Sequence, residues 1–172
     1  MTDFSHIKDG KVNMVDISGK NTTYRVAVAK GSILINRETL KLINSESLTK
    51  GNVYETARIS GIMAAKKTAE LIPLCHPITI NKVDIIFWNE VGEDFSTIFT
   101  EAIVKTDSKT GVEMEALTAV SVTLLTIYDM IKAVEKKAEI SNIKLIYKEG
   151  GKSGKFQTEN PKILNKNFKE TI

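Results

Sequence analysis

The chain has 172 residues, 42% hydrophobic and 26% charged, with a formal net charge of +3. That is enough for one domain with a real core and too short for two typical domains, and the charge is too small to imply nucleic acid or an anionic membrane as partner. The single cysteine, Cys75, rules out an internal disulfide and fits a reducing cytoplasm; no run reaches the ~18 consecutive apolar residues expected of a spanning helix.

The opening MTDFSHIKDGKV has an early acid and no apolar run, so it is expected not to act as a secretory leader. Residues 1–20 hold few apolar positions and read as an arm that is mobile until something orders it. Tyr24, Val26 and Val28 alternate with polar or small residues, and Ile33 to Ile35 follow: one strand, or two short ones around Gly31. Asn36 is a fitting N-cap for a short helix through Leu40 and Ile43. Asn52, with Glu55 three residues on, opens a longer helix rich in small residues that runs to Leu71 and is stopped by Pro73. Ile78 and Ile80, then Val83, Ile85 and Phe87, have the period of a strand with a slip near Lys82, Gly92 marks a turn, and a further strand runs from Phe95 to about Val104. Thr110 to Lys137 reads as one long helix, apolar or small almost all round. Ile140, Ile143, Leu145 and Tyr147 give a last strand, irregular near Asn142. Gly150 to Gly154 is a flexible loop, and the Asn- and Lys-rich stretch 158–172 is expected to be largely disordered. Strand, helix, strand, strand, helix, strand is the split βαβ, ferredoxin-like order of an α+β fold: an antiparallel sheet with helices packed on one face.

The long helix carries an acid and a base one turn apart. Asp129 and Lys132 share a face among apolar neighbours, and burying a charge there costs several kcal/mol, roughly, unless it is paired. A structural ion pair and a catalytic acid–base pair both satisfy that pattern. In Leu71 to Pro77 two prolines make a rigid bend that carries Cys75 and His76. A zinc site there lacks ligands, because the only other histidine is His6, and a Cys nucleophile lacks a base. A buried Cys with a satisfied His, or a ligand-facing His on a rigid loop, are the remaining readings. Glu113 and Glu115 open the long helix, where carboxylates suit the macrodipole and free N–H groups can also receive a polar ligand. Lys152 sits among glycines without the P-loop pattern and could close over a phosphate. Lys50, Lys66 and Arg25 taken singly read as solvated charges.

LIPLCHP (71–77), KTGVEMEALTA (109–119) and TIYDM-x-KAV (126–134), together with Met14-Val15-Asp16, Lys50-Gly51, the 57–66 segment and Gly150–Gly154, closely resemble the cyclic pyranopterin monophosphate synthase family of molybdenum cofactor biosynthesis. The resemblance spans about residues 5–157 and makes 1–157 a single domain. It implies a phosphorus–oxygen lyase acting on a cyclised dihydroguanosine triphosphate, with cyclic pyranopterin monophosphate and pyrophosphate as products. It implies Asp129, Lys132 and Lys50 as catalytic residues. It further implies that Leu74, Cys75, His76, Glu113, Met114 and Glu115 bind substrate, with Arg25, Lys66 and Lys152 as basic groups of the site. The family is a hexamer, a trimer of dimers with sites at the dimer interface, and needs no resident cofactor or protein metal site, although magnesium can accompany the triphosphate. Asn52 stands where relatives often carry an acid. An RNA-binding module is the first alternative, set against aromatics of only 6%; a nucleotide sensor without turnover is the second.

Overall fold

The computed structural model describes residues 7–8, 11–45, 50–152 and 154–170; His6, Ser153 and residues 171–172, which figured in the sequence reading, lie outside them. A short hairpin, β1 (Ile7–Lys8) and β2 (Lys11–Val12), precedes the main sheet. The main sheet has five strands: β3 (Thr23–Asn36), β4 (Lys82–Val91), β5 (Phe95–Ser108), β6 (Glu139–Glu149) and β7 (Phe156–Gln157). Their spatial order is β4-β5-β3-β6-β7, every pair antiparallel. The helices are α1 (Arg37–Asn44), α2 (Val53–Lys66), α3 (Thr68–Leu71) and α4 (Glu113–Ile131). The architecture is the α+β, ferredoxin-like one that the order of elements implies.

Strand β3 is continuous through Gly31, which faces the helix layer rather than a turn. A Cβ there would press on Leu124 Cδ1 at 2.7 Å and Val120 Cγ1 at 2.8 Å, so glycine is what lets α4 lie close on the strand. Gly61 does the same where α2 crosses α4: a side chain there would overlap the Thr123 hydroxyl and approach Ile85 Cδ1 to 2.6 Å. Between sheet and helices lies the core, with Ile33, Ile35, Ile85, Phe87, Ile98, Leu124, Ile127 and Ile131 fully buried. Helix α4 is long and apolar enough to cross a bilayer by those measures alone, but half of it is buried here. That is the pattern of a core helix.

Several boundaries differ from the sequence reading: β4 begins at Lys82 rather than at Ile78, and β5 runs on to Ser108 rather than ending near Val104. The second helix ends at Lys66, and Thr68–Leu71 forms a separate turn, because Thr68 turns its hydroxyl back onto the Ala65 carbonyl at 3.0 Å. The long helix covers Glu113–Ile131 rather than the whole of 110–137; Lys132 is its C-cap. Finally, the stretch after Phe156, expected to be largely disordered, is described to residue 170 and crosses the outer face of the sheet. There Glu159 bridges Lys30 (2.8 Å) and Lys144 (2.6 Å), and the Ile163 amide donates to Glu101 at 2.9 Å. Phe168 meets Trp88 edge-on at 5.9 Å, and Glu170 reaches Arg58 and the Phe87 amide. A stretch with no internal period is held by single anchors placed where the sheet offers partners, a pattern that periodicity does not register.

Candidate active site

Helix α4 carries chemistry at both ends. At its C-terminal end the Asp129 carboxylate lies between two lysines: Lys132 Nζ is 2.6 Å from Oδ1 and Lys50 Nζ is 3.1 Å from Oδ2. Lys50 also donates to the Asp129 carbonyl at 2.6 Å, one of the backbone acceptors left free at a helix end. Lys50 stands before the Asn52 cap, whose side chain accepts the Glu55 amide at 3.0 Å, so the start of α2 fixes where Lys50 emerges. The sequence reading places the Asp–Lys pair in apolar surroundings. In the single chain the side chains are instead 57% (Asp129) and 53% (Lys132) exposed, and the carboxylate separates the two ammoniums. Hydrogen bonding and charge from Lys132, then from Lys50, hold Asp129 below the usual carboxylate range, and Asp129 in turn raises Lys132.

At the N-terminal end two cavities adjoin. One, of about 440 Å³, is lined by Leu74, Cys75, His76, Glu113, Met114 and Glu115, together with Val15, Ile17 and Lys20 from the arm. The arm is tied there by Lys109, which donates to the Ser18 carbonyl at 2.8 Å. Glu115 is 4% exposed, and burial followed by the charge of Glu113 raises its pKa to about 7. Burial, and then the Glu115 charge, push the Cys75 thiol up, so Cys75 is not an activated nucleophile. A small cavity of about 120 Å³ brings Lys66, at the end of α2, to His76 and Glu115.

The second large cavity, of about 800 Å³, is basic: Lys20, Arg25, Lys109, Lys148 and Lys152 line it, with Glu113 among them. Arg25 Nε donates to the Ser108 carbonyl at 3.0 Å and Nη2 to the Lys109 carbonyl at 3.2 Å. Gly151, in the left-handed region at φ 73°, leaves room for the guanidinium, where a side chain would overlap it. Among the described residues no cluster of His, Cys, Asp and Glu is suited to hold a metal.

All twelve residues singled out from sequence therefore fall into two groups. Leu74, Cys75, His76, Glu113, Met114, Glu115, Arg25, Lys66 and Lys152 gather at one end of α4; Asp129, Lys132 and Lys50 gather at the other. Glu113 and Asp129 are sixteen residues apart on one helix, about 24 Å at 1.5 Å per residue. Sequence reasoning missed Lys20 and Lys148. Lys148 escaped because the period-two reading put Leu145 and Tyr147 on one face. A bulge at Ile146 shifts the register between the Ala29–Leu145 and Val28–Tyr147 pairs, which sends Tyr147 outward and Lys148 towards the helices.

Comparison with known proteins adds one consistent result. The profile of the MoaC family matches residues 14–151. A protein of Cereibacter sphaeroides (strain KD131 / KCTC 12085) called cyclic pyranopterin monophosphate synthase is 52% identical over 160 residues, 91% of this chain and 98% of its own. The protein of that name from Desulfatibacillum aliphaticivorans is 52% identical over 160 residues, 92% and 99% of the two chains. The one from Staphylococcus aureus (strain Newman) is 51% identical over 161 residues, 92% and 98%.

Proposed function

The chain belongs to the MoaC family, and we propose that it carries out the reaction for which those relatives are named. It is a lyase of molybdenum cofactor biosynthesis that turns a cyclised dihydroguanosine triphosphate into cyclic pyranopterin monophosphate and pyrophosphate. The observation that carries this reading is identity of 51–52% over nine-tenths of the chain to proteins bearing that name.

The geometry supports a division of labour. The ring and sugar of the substrate would lie against Leu74, Cys75, His76, Met114 and Glu115. The triphosphate would enter the basic cavity, where Arg25, Lys152 and Lys148 spread its charge. As the sugar hydroxyl attacks the α-phosphorus, its proton passes to water, a new P–O bond forms, the bond to the pyrophosphate breaks, and lysines stabilise the departing charge. Lys132, kept protonated by Asp129, would serve as proton donor, and Lys50 would share the carboxylate. Magnesium would come with the triphosphate as part of the substrate; the scheme calls on no resident cofactor. The setting would be the cytoplasm, where guanosine triphosphate is at hand.

One chain does not complete this site. Groups that act on the same atoms must come within hydrogen-bond reach, about 3 Å, whereas these stand at opposite ends of α4. A second copy resolves the separation. Ile59 and Met63 on α2 and Leu125 on α4 are more than half exposed, an apolar face on the helix layer that a copy of the chain can cover. A two-fold axis across α4 would set the His76 end of one protomer beside the Lys132 end of its partner, forming two sites per dimer. We take the working assembly to be the trimer of such dimers.

The test is incubation of the cyclised guanosine triphosphate with the protein, following pyrophosphate release and pterin fluorescence after oxidation. Both signals are expected, and both should fall by orders of magnitude in a folded Lys132→Ala variant. Substrate binding without either product would remove the lyase reading.

A further inference from the structure

Among the described residues Glu113 is the one carboxylate that lines the basic cavity, and it does not point away from the cations. Its Oε1 is 2.9 Å from Lys148 Nζ, with both side chains roughly three-quarters covered. The carboxylate folds back over Gly111, where a Cβ would overlap it. Glycine is not required at 111 by its backbone, which has no positive φ. What the missing side chain provides is a seat for an acid group. Glu113 is itself the first residue of α4, where the helix dipole favours negative charge. The carboxylate therefore occupies a position an anion would take: paired with one ammonium, with Arg25 and Lys152 lining the same cavity.

We propose that Glu113 is an internal placeholder for a substrate phosphate, seated on Gly111 and Lys148 while the site is empty and displaced when a polyphosphate enters. Without it, Lys148 would face the other cations of the cavity unpaired, a repulsion that the carboxylate removes. With it, an incoming phosphate exchanges one ion pair for another, so the site releases pyrophosphate more readily than five unopposed cations would. The swap also frees the Glu113 carboxylate to turn towards the first cavity, which it also lines. This inference rests on reading the basic cavity as the phosphate end of the site, and its direction is opposite to that of a residue that binds substrate: removing a placeholder tightens anion binding.

Titration of the full-length protein with inorganic tripolyphosphate by calorimetry separates the possibilities. Glu113→Gln is expected to bind about three- to fivefold more tightly than wild type, the scale on which a partly exposed ion pair competes. Gly111→Ala changes no charge and only evicts the flexible end of Glu113, and it should tighten binding in the same direction. Glu149→Gln, which removes an exposed carboxylate two strand positions away from the Gly151 turn, controls for long-range charge and should change binding less than twofold. Binding by wild type that weakens in Glu113→Gln, or stays the same in Gly111→Ala, overturns the placeholder and leaves the phosphate cavity standing. Absence of binding in wild type and both variants overturns the phosphate cavity and the inference together.

Discussion

Glu115 shows how a single side chain records the use of a site. A carboxylate at 4% exposure, with no ion pair among the described residues, is set up to hold a proton near neutrality, its pKa at about 7 against an ordinary 4.5. The folded state thus binds that proton more tightly than the unfolded chain. Stability is fully present below about 4.5 and declines as pH rises towards 7, where the buried group ionises. Glu115→Gln carries no such charge. It should be more stable than wild type at pH 8, by up to about 3 kcal/mol from a shift of that size, and equal to it near pH 4. Denaturant unfolding at the two pH values checks this; an equal gain at both would mean that packing rather than charge is responsible. Sequence placed Glu115 at the head of α4 beside Glu113, where both carboxylates suit the macrodipole. Adjacent side chains on a helix diverge, yet Glu113 curls over Gly111 and Glu115 is buried beside Cys75, so both line the same cavity. Helical spacing alone does not convey that, because it depends on a flexible side chain folding back along the axis.

Among the elements, the central strands and helices were legible because each has a strong period and clear punctuation. Asn52 and Glu55 announce α2, and the alternation through Val83, Ile85 and Phe87 announces β4. The bulge at Ile146 and the left-handed Asn142, at φ 56°, were only partly visible, since a bulge inverts the alternation by which strands are recognised. The final segment was not legible at all. Its hold on the sheet depends on long-range partners: Lys162 stands 4.2 Å over the Trp88 ring, and Phe168 packs on the same indole. Glu170 accepts from the Phe87 amide at the open edge of β4, beside the Ile85 carbonyl that takes an Arg58 N–H. The two side chains satisfy edge groups that would otherwise invite another strand. Trp88, the only tryptophan, is 4% exposed under this cover. Phe168→Ala should red-shift its emission and cost about 1–3 kcal/mol, the range for removing an aromatic from a partly covered site. Unchanged emission would mean that the segment does not rest on the sheet in solution.

At the scale of the whole molecule, the antiparallel helices decide how the chain must be used. Lys50 meets Asp129 at one end of the pair, Gly61 meets Thr123 in the middle, and Lys66 approaches Glu115 at the other end. The Asp129 group and the His76–Glu115 group are thereby held apart by a rigid rod, and no rotation of side chains closes a gap of about 24 Å. If a two-fold dimer completes the site, two inactive variants should repair one another. Lys132→Ala would lack the proposed proton donor at one end of α4, and Arg25→Ala the proposed phosphate-binding guanidinium at the other. Each alone should be inactive as a homo-oligomer. In a dimer holding one copy of each, one site collects both lesions and the other collects neither. Random pairing makes half of the dimers mixed, with one of their two sites intact, so a co-expressed mixture should recover about a quarter of wild-type turnover. If each chain used only its own residues, every site would carry one lesion and the mixture would stay as inactive as its parents. The recovered fraction therefore distinguishes a site built from two copies from one built within a single chain, without any need to know how many dimers the assembly contains.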